Sequence, residues 1–499
     1  MEWKSRIRCR CLHFPEAVLD VTARQRREGA WAAGLSGSFL YPEIQKGEVM
    51  SKKTIQLSDH FDTLRLIRFV LPCIGTMLFT SIYGIVDGLC VSNFVGKTAF
   101  AAVNLIMPLP MLIGTVGFML GTGGSAIVAI TLGEGDAQKA DRYFSLLVWT
   151  AFAVGIVLSV LGVFLVRPIA LLLGANGEML EYAVTYGQIL LVSVPTFIWQ
   201  NLFQSFFVTA EKPKLGFAFT VGAGCTNMVL DVLLVGVLQW GVAGAAVATF
   251  LSQLVGGVLP VFYFLERNNT SRLHLVRPKF EGRVLRNACI NGSSELMTNV
   301  SMSLVNILYN YQLLRFAGED GVAAYGVIMY AAFLFVAVFV GYAVGSAPIV
   351  SYHYGARNHR EVHNLYGKSL RLIAGVAVVM TGISMGIIPF VARVFVGYDA
   401  SLLALTSRAF RLYAISFLIM GFNVYGSSFF TALGDGVTSA LISFLRTLVF
   451  QVIAILLLPI LLGGIDGVWL AVTAAELAAL AVTVCLFVTK DKVYHYRKV

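Results

Sequence analysis

The stretch Thr80-Ser-Ile-Tyr-Gly-Ile-Val-Asp87-Gly-Leu-Cys-Val-Ser-Asn-Phe-Val-Gly96 closes an apolar segment that begins near Leu64. One carboxylate, Asp87, stands in it among residues suited to lipid or a dry protein interior. Placing Asp near the middle of a membrane helix costs roughly 2.5–3.5 kcal/mol. A chain keeps that cost most readily where the carboxylate faces a cavity and binds something. Asp231, in Thr226-Asn227-Met-Val-Leu-Asp231, is in the same predicament far down the chain. The rest of the sequence reads as a frame that holds these two acids together.

Composition places both acids in a membrane. Of 499 residues, 57% are hydrophobic and 13% charged, and mean hydropathy is +0.78. Soluble domains carry about 25% charged residues. Apolar runs of about 20 residues recur along nearly the whole chain, which is the pattern of an all-α integral membrane protein. A soluble enzyme is excluded. The net charge of +10 does not indicate nucleic acid, because Lys and Arg fall in short loops beside apolar spans. The seven cysteines form no disulfide framework. Cys73, Cys90, Cys225, Cys289 and Cys485 lie inside expected helices, where a free Cys behaves as a small apolar residue. Cys9-x-Cys11-x-His13 lacks zinc-site spacing.

Residues 1–49 are polar and Arg-rich, and they lack the apolar core of a secretory signal. They read as a disordered tail or a mis-assigned start, since Met50-Ser-Lys-Lys-Thr resembles an ordinary beginning before the first span. Twelve spans follow. Six are expected near 64–90, 98–124, 142–167, 179–209, 214–237 and 241–265, and six near 284–314, 321–350, 366–396, 404–432, 437–462 and 466–489. The expected divisions are an N-terminal lobe at 50–266, a linker at 267–283 and a C-terminal lobe with a basic tail at 284–499. An even span count puts both termini on one side. That side holds the cations of loop 267–286, of loop 357–371 and of the tail 490–498, so both termini are expected in the cytoplasm.

The halves repeat. Phe94-Val-Gly-Lys-Thr-Ala-Phe-Ala-Ala-Val103 matches Phe316-Ala-Gly-Glu-Asp-Gly-Val-Ala-Ala-Tyr325 without gaps. Gly117-x-x-x-Gly121 and Gly133 are echoed by Gly341-x-x-x-Gly345 and Gly355, and Ser205-Phe-Phe by Ser428-Phe-Phe. The order is kept at a separation of roughly 220–226 residues. Two pseudo-symmetric six-helix bundles, related by an axis along the membrane normal, follow from this. Internal duplication with a midplane site is the architecture of many secondary transporters.

Tyr83-Gly-Ile-Val-Asp87-Gly-Leu-Cys-Val-Ser, Asn227-Met-Val-Leu-Asp231 and Gly241-Val-Ala-Gly-Ala-Ala-Val-Ala-Thr249, with the Gly-rich second span, resemble the MATE (multidrug and toxic compound extrusion) exporters. The likeness covers about residues 55–490 and is nearest the prokaryotic branch with acids in its N-terminal lobe. It implies that the positions of Asp87, Asn227, Asp231 and Thr249 form a cation or proton site. It also implies an antiporter of the inner membrane, a monomer among lipids, exporting small organic and often cationic compounds in exchange for H⁺ or Na⁺. No cofactor is implied.

The residues allow both ions. Tyr83 and Asp87 share one helix face, as do Asn227 and Asp231. If their spans adjoin, two carboxylates, an amide oxygen and the Thr249 hydroxyl converge as hard ligands suited to Na⁺, the one metal site the sequence suggests. The same cluster is suited to a proton, because desolvation and a neighbouring negative charge both disfavour ionisation. The alternative is that Asn227 and Asp231 merely join helices as buried polar contacts. Glu295, early in the seventh span, stands near the acid that another branch uses, yet the tenth span offers no acid to partner it. It is read as a contact for a cationic substrate or as a structural hydrogen bond. Met107, Phe118, Met119, Phe206, Tyr309, Tyr330 and Phe429 are candidates to line a greasy central cavity. Gly121-Thr-Gly-Gly-Ser125 has no phosphate-loop context and reads as small residues for close helix packing. A bend near Pro72 would let the first span respond to the state of Asp87. The rival transport reading, a lipid-linked oligosaccharide flippase, calls for an Arg-rich cavity, whereas the arginines here sit mostly in loops.

Overall fold

The computed structural model describes residues 55–266, 268–397 and 399–496. The tail 1–49, the start at Met50, the Cys9-x-Cys11-x-His13 group and the Cys90 side chain lie outside what is described.

Long apolar runs become long helices, and the breaks have local causes. Helix α1 spans Thr63–Phe94. The second expected span is two helices, α2 (Lys97–Ile106) and α3 (Pro108–Gly133), because Pro108 has no N–H to continue the first and is suited to begin the next. Helices α4 (Ala137–Leu172), α5 (Gly177–Thr209) and α6 (Pro213–Leu230) follow. The last runs straight into a π-helical segment, Asp231–Val237, before α7 (Gly241–Leu265).

The second half opens with α8 (Gly282–Asn291) and the 63-residue α9 (Ser293–Gly355), which holds two spans divided at Gly318. There φ is 62°, a conformation that glycine adopts freely. Next come α10 (His359–Val396), then α11 (Ala400–Ala414) and α12 (Phe417–Ala432), a single span bent by 45°. The eleventh span is α13 (Gly436–Phe444), a second π segment (Leu445–Val449) and α14 (Phe450–Leu461), and α15 (Asp466–Tyr494) completes the twelve. No strand occurs among the described residues. The protein is an all-helical, multi-pass membrane protein of two six-span bundles.

Each bundle has its own core. Phe144, Phe203, Phe206 and Phe264 stack in the first, with ring centroids 4.8 Å apart for Phe144–Phe206 and 5.7 Å for Phe203–Phe264. Tyr309, Phe335, Phe410, Phe417 and Trp469 fill the second. A third cluster joins the bundles. It sets Leu57, Phe61, Phe69 and Val70 against Ile349, Phe429, Phe430, Phe487 and Tyr496.

This seam lies toward the half that bears the two ends of the described chain. Glycines bring backbones together there: a Cβ on Gly292 would lie 1.9 Å from the Met119 carbonyl oxygen, and one on Gly341 2.5 Å from Ile74 Cα. The segment before α1 clasps both bundles. Leu57 N–H donates to Glu211 Oε1 (2.8 Å), which also accepts from Arg272 Nη1 (2.8 Å). The Arg272 guanidinium in turn lies 5.1 Å from the Tyr352 ring centre. On the other side, Phe61 N–H donates to Glu361 Oε1 (2.9 Å), His60 Nδ1 lies 2.7 Å from Glu361 Oε2, and Lys368 Nζ donates to the Phe61 carbonyl (2.7 Å). Nearby, Asp435 caps α13 and accepts from Lys490 Nζ at 2.8 Å. Burial alone would push its carboxyl up, but the Lys490 ammonium and the Thr438 hydroxyl and amide outweigh burial and hold it below the usual range.

The seam sets up a paired test. Gly292→Ala must move one backbone away from another and is expected to destabilise by about 1–3 kcal/mol. Gly84, with nothing within 4 Å of its would-be Cβ, should accept Ala without loss. Thermal unfolding in detergent compares them, and equal melting of the two variants would contradict the packing described.

Candidate functional site

The acid site forms where α1 meets α6, and a glycine lets them meet. A Cβ on Gly224 would lie 2.5 Å from Phe79 Cε1 and 3.0 Å from Tyr83 Cδ1, so both α1 rings pack directly on the α6 backbone. One turn beyond Tyr83 comes Asp87, 7% exposed, and one turn beyond Gly224 comes Asn227, 2% exposed. Asp231 is fully buried and stands at the residue where α6 widens into its π segment, a geometry that recurs at functional sites.

The polar groups that act on the Asp87 carboxyl are Asp231, Asn227 and Thr249 of α7. Asn227 Nδ2 donates to Thr249 Oγ1 at 3.4 Å. Asp87 Oδ1 and both Asp231 carboxylate oxygens are buried without a hydrogen-bond partner. No described Lys, Arg or His pairs with either acid. The fold therefore gathers Tyr83, Asp87, Asn227, Asp231 and Thr249 from three helices. It also adds one residue that the sequence did not single out. Tyr186 of α5, fully buried, faces Thr249 and both acids, with its hydroxyl 3.7 Å from Met107 Sδ. Chemically, this is a dry nest of oxygen atoms carrying surplus negative charge, able to take a small cation or a proton.

The second bundle holds charge differently. Arg446, in the π segment between α13 and α14, donates from Nε to Glu476 Oε1 at 2.8 Å, and Glu476 is fully buried. Asn423 donates from Nδ2 to Glu476 Oε2 (2.7 Å), and its Oδ1 accepts from Thr483 Oγ1 (3.0 Å). Glu295, part-buried in the first turn of α9, faces the same Arg446. The tenth span thus supplies an amide rather than an acid, and the missing charge is a cation from the eleventh. A lone Arg inside the apolar run 437–462 was the signal available in the sequence.

The cavity candidates need correction. Phe206 lies in the aromatic core of the first bundle, fully buried beside Phe144. Tyr309 is 2% exposed and stacked on Tyr325 at 5.1 Å. Phe429 is 1% exposed, packed among Tyr366, Tyr425, Phe487 and Tyr496. These three are packed in cores, where rings with partners on every side are held by packing. Met107 and Met119 pack on the first core and are part-buried, as is Phe118. Tyr330 is 44% exposed and stacked on Phe395.

Two six-span bundles with ionisable groups held at membrane depth define a polytopic membrane transporter, not an enzyme. The MatE family profile matches residues 72–233 and 296–457, and the chain belongs to that family. "Multidrug export protein MepA" of Staphylococcus saprophyticus is 23% identical over 433 residues, covering 86% of this chain and 94% of that protein. Its namesake in Staphylococcus aureus is 21% identical over 428 residues, with the same coverage. Among solved structures, "Outward-facing conformation of a multidrug resistance MATE family transporter of the MOP superfamily" shares the fold at TM-score 0.83 and 23% identity, covering 89% of this chain and 99% of that one. "Reverse polarity of binding pocket suggests different function of a MOP superfamily transporter from Pyrococcus furiosus" matches at TM-score 0.82, with the same identity and coverage. Transporters of this family require no cofactor.

The charge network of the second bundle predicts a non-additive pair. Arg446→Met leaves Glu476 buried and unpaired and is expected to cost about 3–5 kcal/mol, whereas Arg446→Met with Glu476→Met should recover most of that loss. Melting curves of the two single variants and the double variant measure the coupling, and additive losses would show that the pair does not act as a unit.

Proposed function

We propose that this protein is a cation-coupled antiporter that exports small organic, often cationic compounds by alternating access. The observation that carries this reading is the buried pair Asp87 and Asp231, three of whose four oxygens lack a partner. Surplus charge in a dry site is costly unless something neutralises it. An H⁺ or Na⁺ arriving from outside neutralises it, and its release inward restores the charge. Coupling requires only that ion and substrate favour different states or exclude one another.

The export direction and the organic cargo are taken from relatives whose names say "multidrug export". The two bundles serve as rocking lobes, approximately 50–266 and 284–499. The seam described above is the closed inner gate, so the chain ends face the cytoplasm across the inner membrane. Tyr83, Asn227 and Thr249 complete the ion site, and Glu295 is the acid available to a cationic group in the cleft. The flippase alternative loses support at Arg446, since a guanidinium already paired with Glu476 offers no free charge to a pyrophosphate.

The test is export from energised vesicles with pH and Na⁺ gradients imposed separately. Asp87→Asn and Asp231→Asn are each expected to reduce gradient-driven export to background while the protein folds normally, because removing an unpaired buried charge relieves the fold. The gradient that drives the native protein names the ion. Undiminished gradient-driven export by Asp87→Asn would refute the reading.

A further inference from the structure

Three polar stripes run inward from the acid pair through the first bundle. On α5, Tyr186, Ser193 and Gln200 recur every seven residues, which puts them on one face. On α7, Thr249 and Gln253 are one turn apart, with Gly256 another turn on. On α6, Asp231 and Asn227 are followed along the same face by Gly224 and Thr220. The structure turns the stripes toward one another. Tyr186 meets Thr249 beside the acids. Ser193 Oγ lies 2.5 Å from Gln253 Oε1. The Gln200 amide lies against Gly256, where a Cβ would stand 2.8 Å from Gln200 Cδ. From Tyr186 to Gln200 the line covers roughly 21 Å of helix.

At its inner end the line opens into space. Gln200 is 5% exposed, its Oε1 is buried without a partner, and it lines a cavity of about 10 Å³ shared with Gln204, Thr220 and Gly256. A second cavity of about 10 Å³ shares Gln204 and Gly216 with the first and reaches Thr76, Cys73 and Val344 at the seam between the bundles. Each has roughly the room that one water needs, and polar partners to hold it. A fully apolar core would pack better than an orphaned carbonyl, so packing does not account for Gln200.

We propose that these cavities hold single waters and that, with Ser193 and Gln253, they form a proton conduit through the first bundle, from the acid pair to the seam half. The proposal rests on the coupling role given above to Asp87 and Asp231. Gln200 is a positioning residue, whose carbonyl accepts from the water and whose amide keeps it in line. A path one water wide passes a proton by exchange along hydrogen-bonded oxygens, and it has too few oxygen ligands to carry a metal ion. The proton enters at the outer acids and leaves at the seam, and the pair is recharged while the inner gate remains shut.

The experiment uses the full-length protein in vesicles with an imposed pH gradient. It compares the native chain, Gln200→Leu, Gln200→Asn, Gln253→Met and Asp87→Asn, with tetraphenylphosphonium as the organic cation, and reads proton flux, export rate and affinity for that cation. Gln200→Leu and Gln253→Met are expected to slow proton flux and export roughly tenfold or more. Substrate affinity and melting temperature should stay near native, and Gln200→Asn, which keeps a carbonyl, should recover part of the flux. If Gln200→Leu fails to fold, Gln253→Met alone decides. Native flux in the Leu and Met variants alongside an inactive Asp87→Asn would overturn the conduit and leave the ion site standing. Native flux in Asp87→Asn as well would overturn both.

Discussion

Two carboxylates that share one dry pocket, with no fixed cation beside them, set the terms for the rest of the structure. The second bundle shows what the same scaffold does when the charge is settled from within. Carrying the match of 94–103 to 316–325 seven residues back places Tyr309 where Asp87 stands, and that side chain is stacked on Tyr325 inside a core. Carrying Gly241 to Gly467 forward places Ala475 opposite Thr249. The acid that the second bundle buries completely, Glu476, has an arginine on one oxygen and an amide on the other. One lobe is closed electrostatically and the other is left open. The two halves of the repeat thus hold their buried charge in different ways.

How much of this was legible in the sequence depends on the range of the force concerned. Twelve spans were legible because lipid demands about 20 apolar residues in a row, a local requirement. The break at Pro108 could be read from its missing N–H, yet the 45° bend between Ala414 and Phe417 and the two π segments could not. No proline marks them, and Gly236 in the first π segment is one glycine among many in the chain. The acids stood out because an Asp in an apolar run is expensive wherever it ends up. Asn227 came with Asp231 through their spacing on one helix face, and Thr249 through the resemblance. Tyr186 did not, because it acquires its meaning only from a helix distant in sequence, and Arg446, conspicuous in its apolar run, reveals its partner Glu476 only in the fold. Phe206, Tyr309 and Phe429 could not be placed in a core from the sequence for a related reason. A cavity wall and a core have the same composition, and only the neighbours tell them apart.

The seam and the acid site are joined by one element. Helix α1 is 32 residues long. Val70, Cys73 and Ile74 press on Gly341 and Gly345 near one end, and Asp87 stands near the other. Some 13 residues separate Ile74 from Asp87, roughly 20 Å of helix. Pro72 lies inside α1, within the seam contact, where the backbone hydrogen-bond ladder lacks one donor. The contacts that shut the seam are of two kinds. Backbone-to-backbone approaches at glycines tolerate little displacement, whereas the clasp of Glu211, Glu361, Arg272 and His60 is made of separate side-chain bonds. A close-packed interface of this sort has discrete arrangements rather than a continuum. Charge at Asp87 therefore need not push the bundles apart. In the proposed antiport it has only to favour one of two settings of α1, and the glycine contacts would convert that preference into an open or a shut seam.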